Sequence, residues 1–134
     1  MSLNIKGIHH IAIKAKGVEA FEKTVEFYTQ ILGLPVIRRW EREDGPGAMV
    51  DTGAGILEIF SNAECEPERG PVRHLALEVE SPDECIEAVR RAGYKVTIEP
   101  KDIVIPSNPP YPARIAFCIG AAGEEVEFFK AREV

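Results

Sequence analysis

Hydrophobic residues recur along this chain with two different periods, and the switch between them happens twice in the same order. Gly7-Ile8-His9-His10-Ile11-Ala12-Ile13 and Pro71-Val72-Arg73-His74-Leu75-Ala76-Leu77 both carry His-aliphatic-Ala-aliphatic, the period-two pattern of a strand. On each strand the larger apolar residues (Ile11 and Ile13; Leu75 and Leu77) face one way, and the histidine and alanine face the other. Helical spacing follows each time. Phe21, Val25, Tyr28 and Leu32 form one stripe, with Gly33 where a left-handed C-cap is wanted. Ile86, Val89 and Ala92 form the other, opened by the capping box Ser81-Pro82-Asp83-Glu84 and ended by Gly93.

After each glycine the chain resumes as strand, at Leu34-Pro35-Val36-Ile37 and at Tyr94-Lys95-Val96-Thr97-Ile98. Each half then closes on an apolar strand with a glutamate at its centre, Ile56-Leu57-Glu58-Ile59-Phe60 and Glu125-Val126-Glu127-Phe128-Phe129, each behind a glycine-containing turn. Strands at about 38–43 and 48–51, with Gly45-Pro46-Gly47 as their turn, fill the first half. Strands 96–98 and 114–119 fill the second. The fold expected is α+β: two tandem βαβββ modules, about 5–61 and 71–130, forming curved sheets in a single domain of residues 1–134. Residues 61–70 read as a polar linker. Pro100–Pro112, with five prolines, reads as a long loop that could close over a site as a lid.

Composition narrows the partners. The 134 residues carry a net charge of −6 and no cluster of basic and aromatic residues, so nucleic acid is not expected as a partner. Apolar runs are far too short to span a membrane, and the first residues lack the apolar stretch of a signal peptide. The three cysteines, Cys65, Cys85 and Cys118, have no C-x-x-C spacing, which fits a reducing, cytoplasmic setting and neither a disulfide framework nor a zinc–thiolate site. No G-x-S-x-G, Walker or dinucleotide glycine pattern is present.

The remaining chemistry lies in the repeat. A lone strand histidine is usually structural, and His9, which falls opposite His10 and has no counterpart in the second half, reads that way. His10 and His74 occupy equivalent places, as do Glu58 and Glu127. A buried, unpaired carboxylate costs several kcal/mol, so two glutamates centred in apolar strands call for partners or for a wet face. Two modules related by a pseudo-twofold would bring the four groups to one centre. Two imidazoles and two carboxylates suit one divalent metal at octahedral geometry, with two positions left for water or substrate.

His10-Ile-Ala-Ile, followed by a helix ending Glu26-Phe27-Tyr28-Thr29-Gln30-Ile31-Leu32-Gly33-Leu34, resembles the signature of the vicinal oxygen chelate superfamily. Gly70-Pro-Val-Arg-His74-Leu-Ala-Leu-Glu-Val and Arg114-Ile-Ala-Phe through Glu127-Phe-Phe resemble its second module, so the likeness runs over about residues 7–130. Within that superfamily the chain looks most like glyoxalase I (lactoylglutathione lyase). That resemblance implies His10, Glu58, His74 and Glu127 as metal ligands, and nickel or cobalt as the favoured ion with zinc, iron or manganese as others. The Phe, Ile and Val content of the closing strands leaves edges that a symmetric partner could cover, so a homodimer is expected. The resemblance also implies proton transfer on a hemithioacetal, with Glu127 as the base and Glu58 as its partner across the metal. Asn62 falls at a glutathione-contacting position, and Lys14 stands where the family usually has arginine. Gly120-Ala-Ala-Gly123 replaces the family's Asp-Pro-x-Gly turn. Two alternatives stand beside this reading. One is an enzyme like methylmalonyl-CoA epimerase, which would want a basic patch for the CoA phosphates. The other is a small-molecule-binding resistance protein without turnover, a type that usually loses ligand positions.

Overall fold

A computed structural model describes residues 3, 4, 6–66 and 68–133. The chain divides into two compact units, Met1–Glu66 and Pro67–Val134, each with the same order of elements. The first unit holds β1 (His10–Lys14), α1 (Val18–Glu26) continuing into a π-helical turn (Phe27–Ile31), β2 (Val36–Arg42), β3 (Gly45–Asp51) and β4 (Ile56–Phe60). The second holds β5 (Leu75–Glu78), α2 (Pro82–Arg91), β6 (Val96–Ile105), β7 (Tyr111–Ile119) and β8 (Glu125–Ala131). Each forms a four-stranded sheet, ordered β1-β4-β3-β2 and β5-β8-β7-β6. The closing strand pairs in parallel with the opening one and antiparallel with its predecessor. The α+β architecture of tandem βαβββ modules is therefore as the hydrophobic pattern predicts.

One face of each sheet carries the helix, and the alternation of strand residues builds the core there. In the first unit Ile13, Ala48, Val50, Leu57 and Ile59 are buried together with Phe21, Val25, Phe27 and Tyr28. In the second, Ile86 and Val89 of α2 are fully buried, as are Ala116, Cys118, Val126 and Phe128. Full burial of side chains of this size stabilises by about 1.5–3 kcal/mol apiece. Buried Thr24 donates its hydroxyl hydrogen to the Ala20 carbonyl at 2.7 Å, and Thr29 donates to Val25 at 2.6 Å. Hydroxyls that bond back into the preceding turn loosen the ordinary helical ladder. The chain widens to the π form just there, and Phe27 and Tyr28, consecutive in sequence, are both fully buried. The second helix starts as expected, with the Ser81 hydroxyl accepting the Glu84 N–H at 3.1 Å. It ends on Gly93 at φ 94°, with Tyr94 N–H bonded to Val89 and Gly93 N–H to Arg90, which is the Schellman pattern.

Two expectations are corrected. Gly45-Pro46-Gly47 is not the turn of its hairpin: it lies inside β3, and the reversal falls at Glu43-Asp44. Pro100–Pro112 is not a loop, so it offers no long lid. β6 and β7 extend through most of it as a hairpin whose connection is residues 106–110. Proline removes one N–H from a ladder, not the strand itself. Pro100 falls at an irregularity of register between Ile98 and Lys101. Pro112 lies where β8 is ending, and its carbonyl still accepts the Arg132 N–H at 3.0 Å.

Candidate functional site

The sheet face away from each helix carries the chemistry. In the first unit β1 and β4 run in parallel with Ala12 level with Glu58, and His10 lies two residues earlier on the same face. The small alanine leaves the carboxylate room to lean along the strand. The His10 Nε2 to Glu58 Oε1 distance is 3.4 Å. The second unit repeats the construction. Ala76 is level with Glu127, and His74 Nε2 stands 3.0 Å from Glu127 Oε1. Both imidazoles are partly exposed, at 42% and 39%, whereas the carboxylates are mostly covered, at 17% and 12%. Within each unit the structure thus pairs one predicted ligand histidine with one predicted ligand glutamate. Among the described residues no three His, Cys, Asp or Glu side chains gather as a larger metal-holding group.

The pairs differ in what surrounds them. The His74 ring meets the edge of Phe117 at 5.2 Å between centroids, and Phe117 is level with Glu127 across β7 and β8. Burial raises the Glu127 carboxyl above the usual carboxylate range, and the adjacent His74 opposes part of that rise. In the first unit Met49 takes the place level with Glu58. His9 does not face away from His10: the two Nδ1 atoms lie 2.9 Å apart, with the rings edge to face. β1 begins only at His10, so strand alternation does not govern His9.

The two candidate substrate contacts sit apart in character. Lys14 is exposed at the end of β1, level with Phe60. Asn62 donates its amide hydrogen to Asp44 at 2.8 Å and so fastens the β2–β3 turn. Its carbonyl oxygen is buried without a partner. Sequence reasoning missed the aromatic neighbours of the pairs. Trp40 and Phe60 meet at 6.1 Å in the first unit, and Tyr111 and Phe129 at 5.6 Å in the second. The signal available was period two: Phe60 and Phe129 each lie two residues beyond a ligand glutamate, hence on its face.

The chemistry of the donor set fits a divalent ion, since each pair offers an imidazole nitrogen and a carboxylate oxygen on neighbouring strands. The model of the Glyoxalase/Bleomycin resistance protein/Dioxygenase superfamily matches residues 7–107. The chain belongs to this superfamily. Its members bind small molecules, typically hold a divalent metal, and include both enzymes and non-catalytic proteins. YwkD, an uncharacterized protein of Bacillus subtilis (strain 168), is 33% identical over 97 residues, spanning 66% of this chain and 73% of its own length. The trypanothione-dependent glyoxalase I of Leishmania major has the same fold at 19% identity, with a TM-score of 0.68 over 94% of this chain and 87% of that one. So does TnmS3, an antibiotic-binding protein of Streptomyces sp. CB03234, at 17% identity and a TM-score of 0.71 over 98% of this chain and all (100%) of that one. Among the described residues no helix is long and apolar enough to cross a membrane.

Proposed function

We propose that this superfamily member is a metal-dependent lyase or isomerase of the glyoxalase I kind, moving a proton at a carbon beside an oxygen of a small substrate such as a hemithioacetal. The observation that carries this reading is the duplicated His–Glu pair, built twice in the same register with separations of 3.4 and 3.0 Å. In this reading the two units act as one domain, and His10, Glu58, His74 and Glu127 hold one divalent ion, nickel or cobalt by preference. The bound ion supplies Lewis acidity toward the oxygens of the substrate. Glu127 takes and returns the proton. Glu58 balances charge opposite it. The exposed ammonium of Lys14 suits an anionic group of the substrate, and Asn62 reaches a substrate only if its bond to Asp44 opens. Assembly as a cytoplasmic homodimer completes the proposal. Epimerisation of a CoA ester needs the same proton transfer, but the net charge of −6 offers little to the CoA phosphates.

A second reading, small-molecule binding without turnover, draws support from the fold shared with the antibiotic-binding TnmS3. The two separate in one experiment. Protein loaded in turn with nickel, cobalt, zinc, iron or manganese is checked for dimerisation by sedimentation. It is then assayed against methylglyoxal–glutathione hemithioacetal and methylmalonyl-CoA in deuterated solvent. Glu127→Gln is expected to lower turnover by at least about 100-fold while keeping most of the metal, with a smaller loss for Glu58→Gln. Wild-type rates in Glu127→Gln would remove that residue as the base. Failure of both substrates with every metal would favour the binding reading.

A further inference from the structure

We infer that His9 is a positioning residue for His10, accepting the proton of His10 Nδ1 and so leaving the Nε2 lone pair free for a bound cation. This rests on the metal reading above, which sets the direction of the hydrogen bond; the contact itself stands without it. The two Nδ1 atoms stand 2.9 Å apart, a hydrogen-bonding separation that requires one proton between them. The other nitrogen of His10, Nε2, is the one that faces Glu58. A neutral imidazole that ligates through Nε2 must carry its proton on Nδ1, so the shared proton belongs to His10 and His9 is the acceptor. The edge-to-face arrangement of the rings, with centroids 5.2 Å apart, fixes the plane of His10 at the same time.

The second unit shows that the device is particular to the first. The residue before His74 is Arg73, whose guanidinium has no acceptor to offer, and His74 is steadied by the edge of Phe117 instead. Equivalent histidines are therefore oriented by different means, one through a hydrogen bond and one through an aromatic wall. An outer partner of this type is worth about 10- to 100-fold in metal affinity.

The test compares His9→Phe, which keeps a ring and loses the acceptor, with His9→Asn, whose side-chain oxygen restores an acceptor on a short stem. Both sit at an exposed position and leave the core untouched. Cobalt(II) titration of the full chain should show affinity about 10-fold or more weaker in His9→Phe and largely recovered in His9→Asn. In nitrogen-15 spectra of the zinc-loaded protein, the His10 Nδ1 resonance should move in His9→Phe and return toward its original position in His9→Asn. The His74 resonances should stay in place in both. Unchanged cobalt affinity together with unchanged His10 resonances in His9→Phe would overturn the assignment. If the wild-type chain bound no cobalt, the metal reading would fall and the role of His9 with it, whereas cobalt binding that His9→Phe leaves unchanged would overturn the role of His9 alone.

Discussion

The two units share a topology and a His–Glu register, yet the row of residues just beyond the glutamates differs at every position but one. In the first unit that row runs Lys14, Phe60, Gly47, Trp40 across β1, β4, β3 and β2; in the second it runs Glu78, Phe129, Ile115, Lys101 across β5, β8, β7 and β6. Only the phenylalanine next to the glutamate's strand position is common. The first unit ends the row in an indole lying over a glycine, and the second in an aliphatic residue and a lysine. The lysine stands at the β1 edge of the first row and at the β6 edge of the second, where a glutamate takes the β5 edge. What the two halves keep is the His–Glu pair and the apolar face behind it; what they vary is the row beside the pair.

The heaviest blow to this comparison falls on the shared apolar face. Phe128 is fully buried, adjacent in sequence to Glu127 but on the helix side of the sheet. Phe128→Ala should destabilise by about 3–5 kcal/mol in urea unfolding, by lost transfer energy and the cavity left behind. A loss below about 1 kcal/mol would mean that the second unit does not rely on this face.

A smaller effect distinguishes the walls. A Cβ at Gly47 would drive into the Trp40 ring, so Gly47→Ala should displace the indole at a cost of about 1–3 kcal/mol. Because Trp40 is the sole tryptophan (Trp 1 in the sequence), its fluorescence reports on the first unit alone, and an unmoved emission maximum would refute the close contact.

The mildest probe uses thiols. Cys65 of the first unit is exposed, whereas burial pushes the Cys118 thiol of the second up to about 12, with Glu124 and Cys85 adding to the rise. Burial raises Cys85 as well. Native protein at neutral pH should therefore show one fast-reacting thiol toward a disulfide reagent, and a second fast thiol would indicate that the second unit opens readily.

Much of this was legible in the chain. The His-aliphatic-Ala-aliphatic strands, the capping box at Ser81 and the glutamate-centred closing strands are short-range patterns, and local patterns survive into the fold. Two classes of feature were not legible. The extent of the β6–β7 hairpin depends on which N–H groups its prolines remove, and that is settled by register with neighbouring strands. The contact of His9 with His10 depends on where alternation begins, one residue later than the motif suggests. Asn62 illustrates a third limit: the family resemblance marked it as a substrate contact, but its bond to Asp44 is a matter of how a turn closes eighteen residues earlier in sequence.

The parallel pairing of β1 with β4, and of β5 with β8, has a consequence for synthesis. β1 is an edge strand whose neighbour in the sheet is β4, the last strand of its unit to be made, and β5 waits likewise for β8. During translation His10 and His74 leave the ribosome long before Glu58 and Glu127 can join them. Contacts so distant along the chain close slowly. A ribosome-bound fragment stalled before Glu125 would carry both histidines but only the first His–Glu pair, so the second pair can form only when the final strand docks.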